Sequence, residues 1–215
     1  MHLHIASLTI LCLALAASAS GQVLYENGPL NGTIDAWGLN HGYFVDDTFT
    51  LTGNSTVGDI DFYTWEFQGD LLTSVYWSIT SNPGYGTKYG SGTASGTNLM
   101  DSFISINQYG YDIDKVTISG LSVPLAAGRY WLNLENATVP SGNFVYWDEN
   151  DGIGCHSPGC PSYATEDGNE GSIPAEAFDI VGTSGGGSTP EPGSFLLLTS
   201  GVLGLAGMLR HKHWE

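Results

Sequence analysis

A chain of 215 residues with 41% hydrophobic and 12% aromatic side chains holds enough apolar mass for one domain of ordinary size around a single core, which excludes a second full domain. Its formal net charge of −17 repels phosphate backbones and anionic headgroups, so nucleic acid is excluded as a partner. Only Lys88, Lys115 and Arg129 are basic between the apolar ends, which leaves the acidity in the middle of the chain as a solvated surface or as an affinity for divalent cations.

The first element is an apolar run over residues 5–17, followed by the small residues Ser18, Ala19, Ser20 and Gly21. It reads as a secretory signal peptide with cleavage after Ala19, at an Ala17-Ser18-Ala19 site, and it implies signal peptidase and the secretion machinery as partners. The run is too short to cross about 30 Å of hydrocarbon as a helix. Cys12 within it follows Leu11, where lipoprotein processing needs a small residue, so it is not read as a lipid-anchored cysteine.

From Gln22 onward the chain is rich in Gly, Ser, Thr, Asn, Tyr and Trp, with short apolar alternations broken by turn residues, an all-β signature without helical periods. Strands are expected at 23–25 and at 47–52, where Phe49 and Leu51 face one way and the threonines the other. Over 59–67, Ile60 and Phe62 take one face and Tyr63, Trp65 and Phe67 the other, which implies a bulge or a two-faced strand. Val75, Trp77 and Ile79 form the inward set of 74–80. Further strands are expected at 99–106, 116–118 and 122–125. Residues 129–134 then place Tyr130, Leu132 and Leu134 in the core and leave Arg129, Trp131 and Asn133 outward. With 144–147 and 177–181 the count reaches eight or more short antiparallel strands, and a body over residues 22–182 folded as a β-sandwich or jelly roll.

Residues 152–173 carry clustered Gly, Pro, Ser and acidic side chains with little apolar content, and read as a long surface loop. Within it, Cys155-His156-Ser157-Pro158-Gly159-Cys160 favours a Cys155–Cys160 disulfide, because the pair is even in an exported chain and Pro158-Gly159 supplies the turn that brings the two together. A zinc site on Cys155, His156 and Cys160 is the alternative, but no second Cys or His cluster follows. Residues 183–189 form a Gly/Ser linker by composition. The uncharged stretch 193–209 beyond it is just long enough to span a bilayer, with Arg210 and Lys212 on the cytoplasmic side and the body outside.

The order Pro190-Glu191-Pro192, short apolar span, then Arg210-His211-Lys212 resembles the PEP-CTERM sorting signal of certain Gram-negative bacteria over the last ~25 residues. The resemblance implies an exosortase, a membrane-embedded transpeptidase-like cysteine enzyme, as the partner that recognises Pro190, Glu191 and Pro192 and cuts near them. The residues suit that role by themselves: two prolines hold the backbone extended and free of hydrogen-bonded structure, within reach of a protease. The span 193–209 then acts as a transient membrane anchor, and the body is delivered to the cell surface or the extracellular matrix.

No catalytic motif stands in the body: His-Glu-x-x-His is absent, and only His41 and His156 remain after leader and tail. The chain therefore reads as non-catalytic, without a cofactor. The one candidate for calcium is the turn Asp148-Glu149-Asn150-Asp151-Gly152, with Asp148, Asn150 and Asp151 as oxygen ligands, although it lacks the alternating spacing and terminal Glu of a helix-loop-helix calcium loop. An Asx-rich turn is its plainer reading. For carbohydrate, Trp131 and Trp147 are candidate stacking faces with Asp148 at the edge for hydroxyls, against the ordinary use of aromatic rings to fill a core. Sequons at Asn31, Asn54 and Asn136 are expected in so Asn- and Thr-rich a chain. The leading expectation is a structural or interaction protein of the cell surface or exopolysaccharide matrix. The second is a carbohydrate-binding module of the same fold, stabilised by calcium, with an exopolysaccharide as partner.

Overall fold

A computed structural model describes residues 21–150, 152–166 and 172–185. In chain order the strands begin with β1 (Gln22–Glu26), β2 (Ala36–Gly38), β3 (Phe44–Leu51), β4 (Ser55–Phe67) and β5 (Ser74–Asn82). They continue with β6 (Tyr85–Ser95), β7 (Leu99–Ile106), β8 (Tyr111–Ile118), β9 (Val123–Leu125) and β10 (Gly128–Thr138), and end with β11 (Tyr146–Asp148), β12 (Ala164–Glu166), β13 (Ser172–Ile173) and β14 (Phe178–Ser184). The fold is all-β, in two antiparallel sheets, as the alternation of the sequence requires.

The larger sheet is organised on β4, whose two edges are both occupied. On one side it pairs with β14 and β11, and β1 and β2 follow outside them; on the other it pairs with β9 and β8, and β7 closes the sheet beyond β8. The smaller sheet runs β13-β12-β3-β10-β5-β6. One core joins both inner faces: Val57, Ile60, Phe62, Val116, Ile118 and Ile180 from the larger sheet meet Phe49, Leu51, Ile79, Leu132 and Leu134 from the smaller. Each such side chain, taken fully out of water, contributes about 1.5–3 kcal/mol, which is the main source of the fold's stability.

Several local expectations are met and others are corrected. Tyr130, Leu132 and Leu134 are core residues of β10, and β7 spans the expected residues. The strand over 59–67 keeps an unbroken register with β8 and is two-faced; the bulge lies upstream, where Val181 and Gly182 of β14 face Asp59 and Val57 and Gly58 is left over. The expected surface loop 152–173 is a loop only in part, because β12 inside it adds to β3 and buries Ala164 and Thr165. Thr183 and Ser184, expected in the linker, extend β14 against Thr56 and Ser55 of β4. No helix among the described residues is long and apolar enough to cross a membrane. The leader at 1–19, the rest of the linker, Pro190, Glu191, Pro192, the span 193–209, Arg210 and Lys212 lie outside the described residues.

Candidate functional site

The residues named from the sequence do not come together as a ligand face. Trp147 is fully buried, because β11 pairs it with Thr64 on the inner face of β4; its ring meets Phe62 and Phe178 edge-on, and its indole N–H donates to the Ala177 carbonyl at 3.0 Å. It is a core residue. Trp131 does point away from the core, but Tyr163 from the loop before β12 stands edge-on over it at 5.7 Å and leaves it 9% exposed. Neither indole offers a free face to a sugar ring, so the Trp131–Trp147 platform is corrected.

The acidic turn is likewise engaged. Asp148 accepts hydrogen bonds from the backbone N–H groups of Asn31 and Gly32, at 2.6 and 2.8 Å, and from the indole N–H of Trp65. Burial raises its carboxyl to about 6 despite these bonds. Asn150 is buried and forms an Asx turn, accepting from the Gly152 N–H at 2.6 Å and donating to the carbonyls of Glu176, at 3.0 Å, and Asn27. These contacts make Asp148 and Asn150 the anchors of the segment that crosses the end of the larger sheet. Asp151 lies outside the described residues.

Cys155 and Cys160 form the expected disulfide, which closes the loop in front of β12. Beneath that loop lies a buried polar network: the Asn27 side chain donates to Ser162 Oγ, Asp47 Oδ2 and the Glu176 carbonyl, and the Glu176 N–H donates to Asp47 Oδ2 at 2.7 Å. Burial raises Asp47 to about 7 and Glu176 well above the ordinary range, with the charge of Asp47 adding to the shift of Glu176.

A second acidic centre is built by period-two alternation alone. On the inner face of the larger sheet the pairs Ile60–Ile118 and Phe62–Val116 continue as Thr64–Asp114 and Glu66–Asp112, so the same face that supplies the core turns acidic toward one end. Asp101 of β7, paired with Val116, joins this face from the sheet edge. One carboxylate oxygen from each of Glu66, Asp101 and Asp114 lies within 4.8 Å of the other two. The fixed contacts use one oxygen of Glu66 and one of Asp101: Thr64 Oγ1 donates to Glu66 Oε1 at 2.9 Å, and the Leu72 N–H to Asp101 Oδ2 at 2.6 Å. The opposite oxygens, Glu66 Oε2 and Asp101 Oδ1, and also Asp114 Oδ2, are buried and meet no protein donor. Burial first, then the charge of Asp101, pushes Glu66 up to about 8 and Asp114 up to about 7. Burial also raises Asp101, and the N–H groups of Leu72 and Ser102 oppose it.

An aromatic groove lies at the other edge of the sheet, open to solvent and lined by Trp37 and Gly38 of β2, Tyr43, Phe144, Tyr146 of β11 and Glu166 of β12. Phe144 and Tyr146 stack at 5.7 Å, and Tyr43 flanks Phe144 at 6.4 Å. Gly38 permits this arrangement, since a Cβ there would stand 3.3 Å from that of Tyr43. The Trp37 indole N–H is buried and meets no protein acceptor. The groove needs Trp37, Tyr43, Phe144, Tyr146 and Glu166 from separate segments, which no local sequence pattern announces. The chain matches no protein-family model and no curated protein.

Proposed function

We propose that the protein is an exported, exosortase-sorted component of the cell surface or exopolysaccharide matrix, and that it acts as a structural or interaction module without catalysis. The observation that carries this reading is the order of segments in one chain: an apolar leader with an Ala-Ser-Ala site, a body closed by a disulfide, and the tail Pro190-Glu191-Pro192, apolar span, Arg210-His211-Lys212. The disulfide supports it, because such bonds persist in oxidising compartments. The two-sheet body, read as a β-sandwich, supports it as a rigid scaffold whose ligating features are surface grooves and acidic clusters. Fractionation of producing cells with and without the exosortase tests the reading. A shorter chain at the surface or in the medium is expected when the enzyme is present, and an unprocessed chain held in the membrane when it is deleted. An unchanged size and location on deletion contradicts it.

The groove of Trp37, Tyr43, Phe144 and Tyr146 favours carbohydrate binding as the second reading, with the stacking surface moved away from Trp131 and Trp147. Aromatic faces beside a carboxylate suit a pyranose ring and its hydroxyls. Retention of the full chain on immobilised polysaccharide, lost on Tyr43→Ala, is the expected result. Equal retention of the variant, or none of either chain, removes this reading.

A further inference from the structure

We propose that Glu66, Asp101 and Asp114 hold a calcium ion between the end of β4, its neighbour β8 and the edge strand β7. Glu66 is 0% and Asp114 1% exposed, yet Glu66 Oε2 and Asp114 Oδ2 have no protein donor, and Asp101 Oδ1 is in the same condition. A buried carboxylate oxygen without a partner is costly, and three on neighbouring carboxylates are costlier still. The charges acting most strongly on Glu66 are those of Asp101, Asp114 and Asp70, and on Asp114 those of Asp101 and Asp112, all of them acidic. The one salt bridge among the described residues, Lys115 to Asp61, takes the neighbouring lysine to the outer face.

Two chemistries relieve such a cluster: protonation or a cation. A set made only of hard oxygens selects a hard cation, and lacks the nitrogen and sulfur donors that zinc favours. Two oxygens bound to one calcium ion lie at most about 4.6–5.2 Å apart, twice the usual bond length of about 2.3–2.6 Å. The mutual spacing within 4.8 Å meets that limit. Thr64 and the Leu72 N–H hold one oxygen each of Glu66 and Asp101, which leaves Glu66 Oε2 and Asp101 Oδ1 available to a cation. Asp101, half-buried on the edge strand, gives the ion its path from solvent.

Binding of calcium by the purified chain does not depend on export, whereas occupancy at extracellular calcium rests on the export reading; fractionation and the following titration therefore fail separately. The experiment is thermal unfolding of the detergent-solubilised full chain near pH 7.5, in chelator, in 10 mM CaCl2, and in MgCl2 at equal ionic strength. Extracellular calcium modules bind at about 10⁻⁴–10⁻³ M. For an affinity at the tight end of that range, a rise in Tm of about 5–10 °C is expected in CaCl2 and a smaller one in MgCl2. Glu66→Gln and Asp114→Asn lose most of the calcium shift but melt at or above the parent in chelator, since each replaces a buried carboxyl, which must either hold a proton or carry an uncompensated charge, with a neutral amide. Asp101→Asn, at the half-buried position, loses part of the shift and serves if the buried variants fold poorly. The proposal is overturned by no shift with CaCl2, by an equal shift with MgCl2, or by the full calcium shift persisting in Asp101→Asn together with either buried variant.

Discussion

Trp147 shows how a single indole can be assigned by its strand phase. Its backbone pairs with Thr64, its ring is enclosed by Phe62 and Phe178, and its N–H satisfies the Ala177 carbonyl. Trp147→Ala opens a large cavity and removes that hydrogen bond, so a loss of roughly 3–5 kcal/mol in unfolding free energy is expected in urea titration. A ligand-stacking tryptophan would instead leave stability nearly unchanged, so a loss below about 1 kcal/mol contradicts the assignment. Asp148 beside it is spent on two backbone N–H groups and the Trp65 indole, which is a fold-building task rather than a binding one.

β4 carries the larger sheet because both of its edges are paired, and its bulge is where that pairing is tightest. A Cβ on Gly182 would stand 2.1 Å from the Thr56 carbonyl oxygen, so Gly182→Ala forces the two backbones apart. A cost of roughly 1–3 kcal/mol in urea denaturation is expected, and an unchanged midpoint contradicts the close approach. Strands with apolar alternation, such as β3, β5 and β10, were legible in the sequence because one face had to be buried. β6 was not, because its Tyr-Gly-Thr-Lys-Tyr-Gly-Ser-Gly-Thr-Ala-Ser lies at the sheet edge with only Ala94 buried, and neither face needs a hydrophobic pattern. β12 escaped for a related reason: Ala164 and Thr165 are small enough to be covered without an apolar run. The acidic centre left one trace, since Asp112-x-Asp114-x-Val116-x-Ile118 keeps a single inward phase across the change from carboxylate to hydrocarbon. Asp101 and Glu66 join it through long-range pairing, and only the sheet register brings them to it.

At the scale of the whole molecule, buried acids set the response to pH. Burial raises Asp46, Asp47 and Asp114 to about 7, Glu66 to about 8 and Asp148 and Asp179 to about 6. A carboxyl whose folded pKa is raised holds its proton where the unfolded chain has released it, so the folded state binds more protons between about pH 4 and pH 8, and stability falls as pH rises through that window. In chelator, the urea midpoint is therefore expected to be higher at pH 5.5 than at pH 8, and a higher midpoint at pH 8 contradicts the burial of these acids. Delivery to the surface, which we propose from the residues of the two ends, is independent of this response. The most direct test is the intact mass of the protein recovered from producing cells. A mass below 22.8 kDa, by both the leader through Ala19 and the segment that follows the Pro190-Glu191-Pro192 region, is the predicted result; a chain of 22.8 kDa, or one that has lost the leader alone, contradicts it.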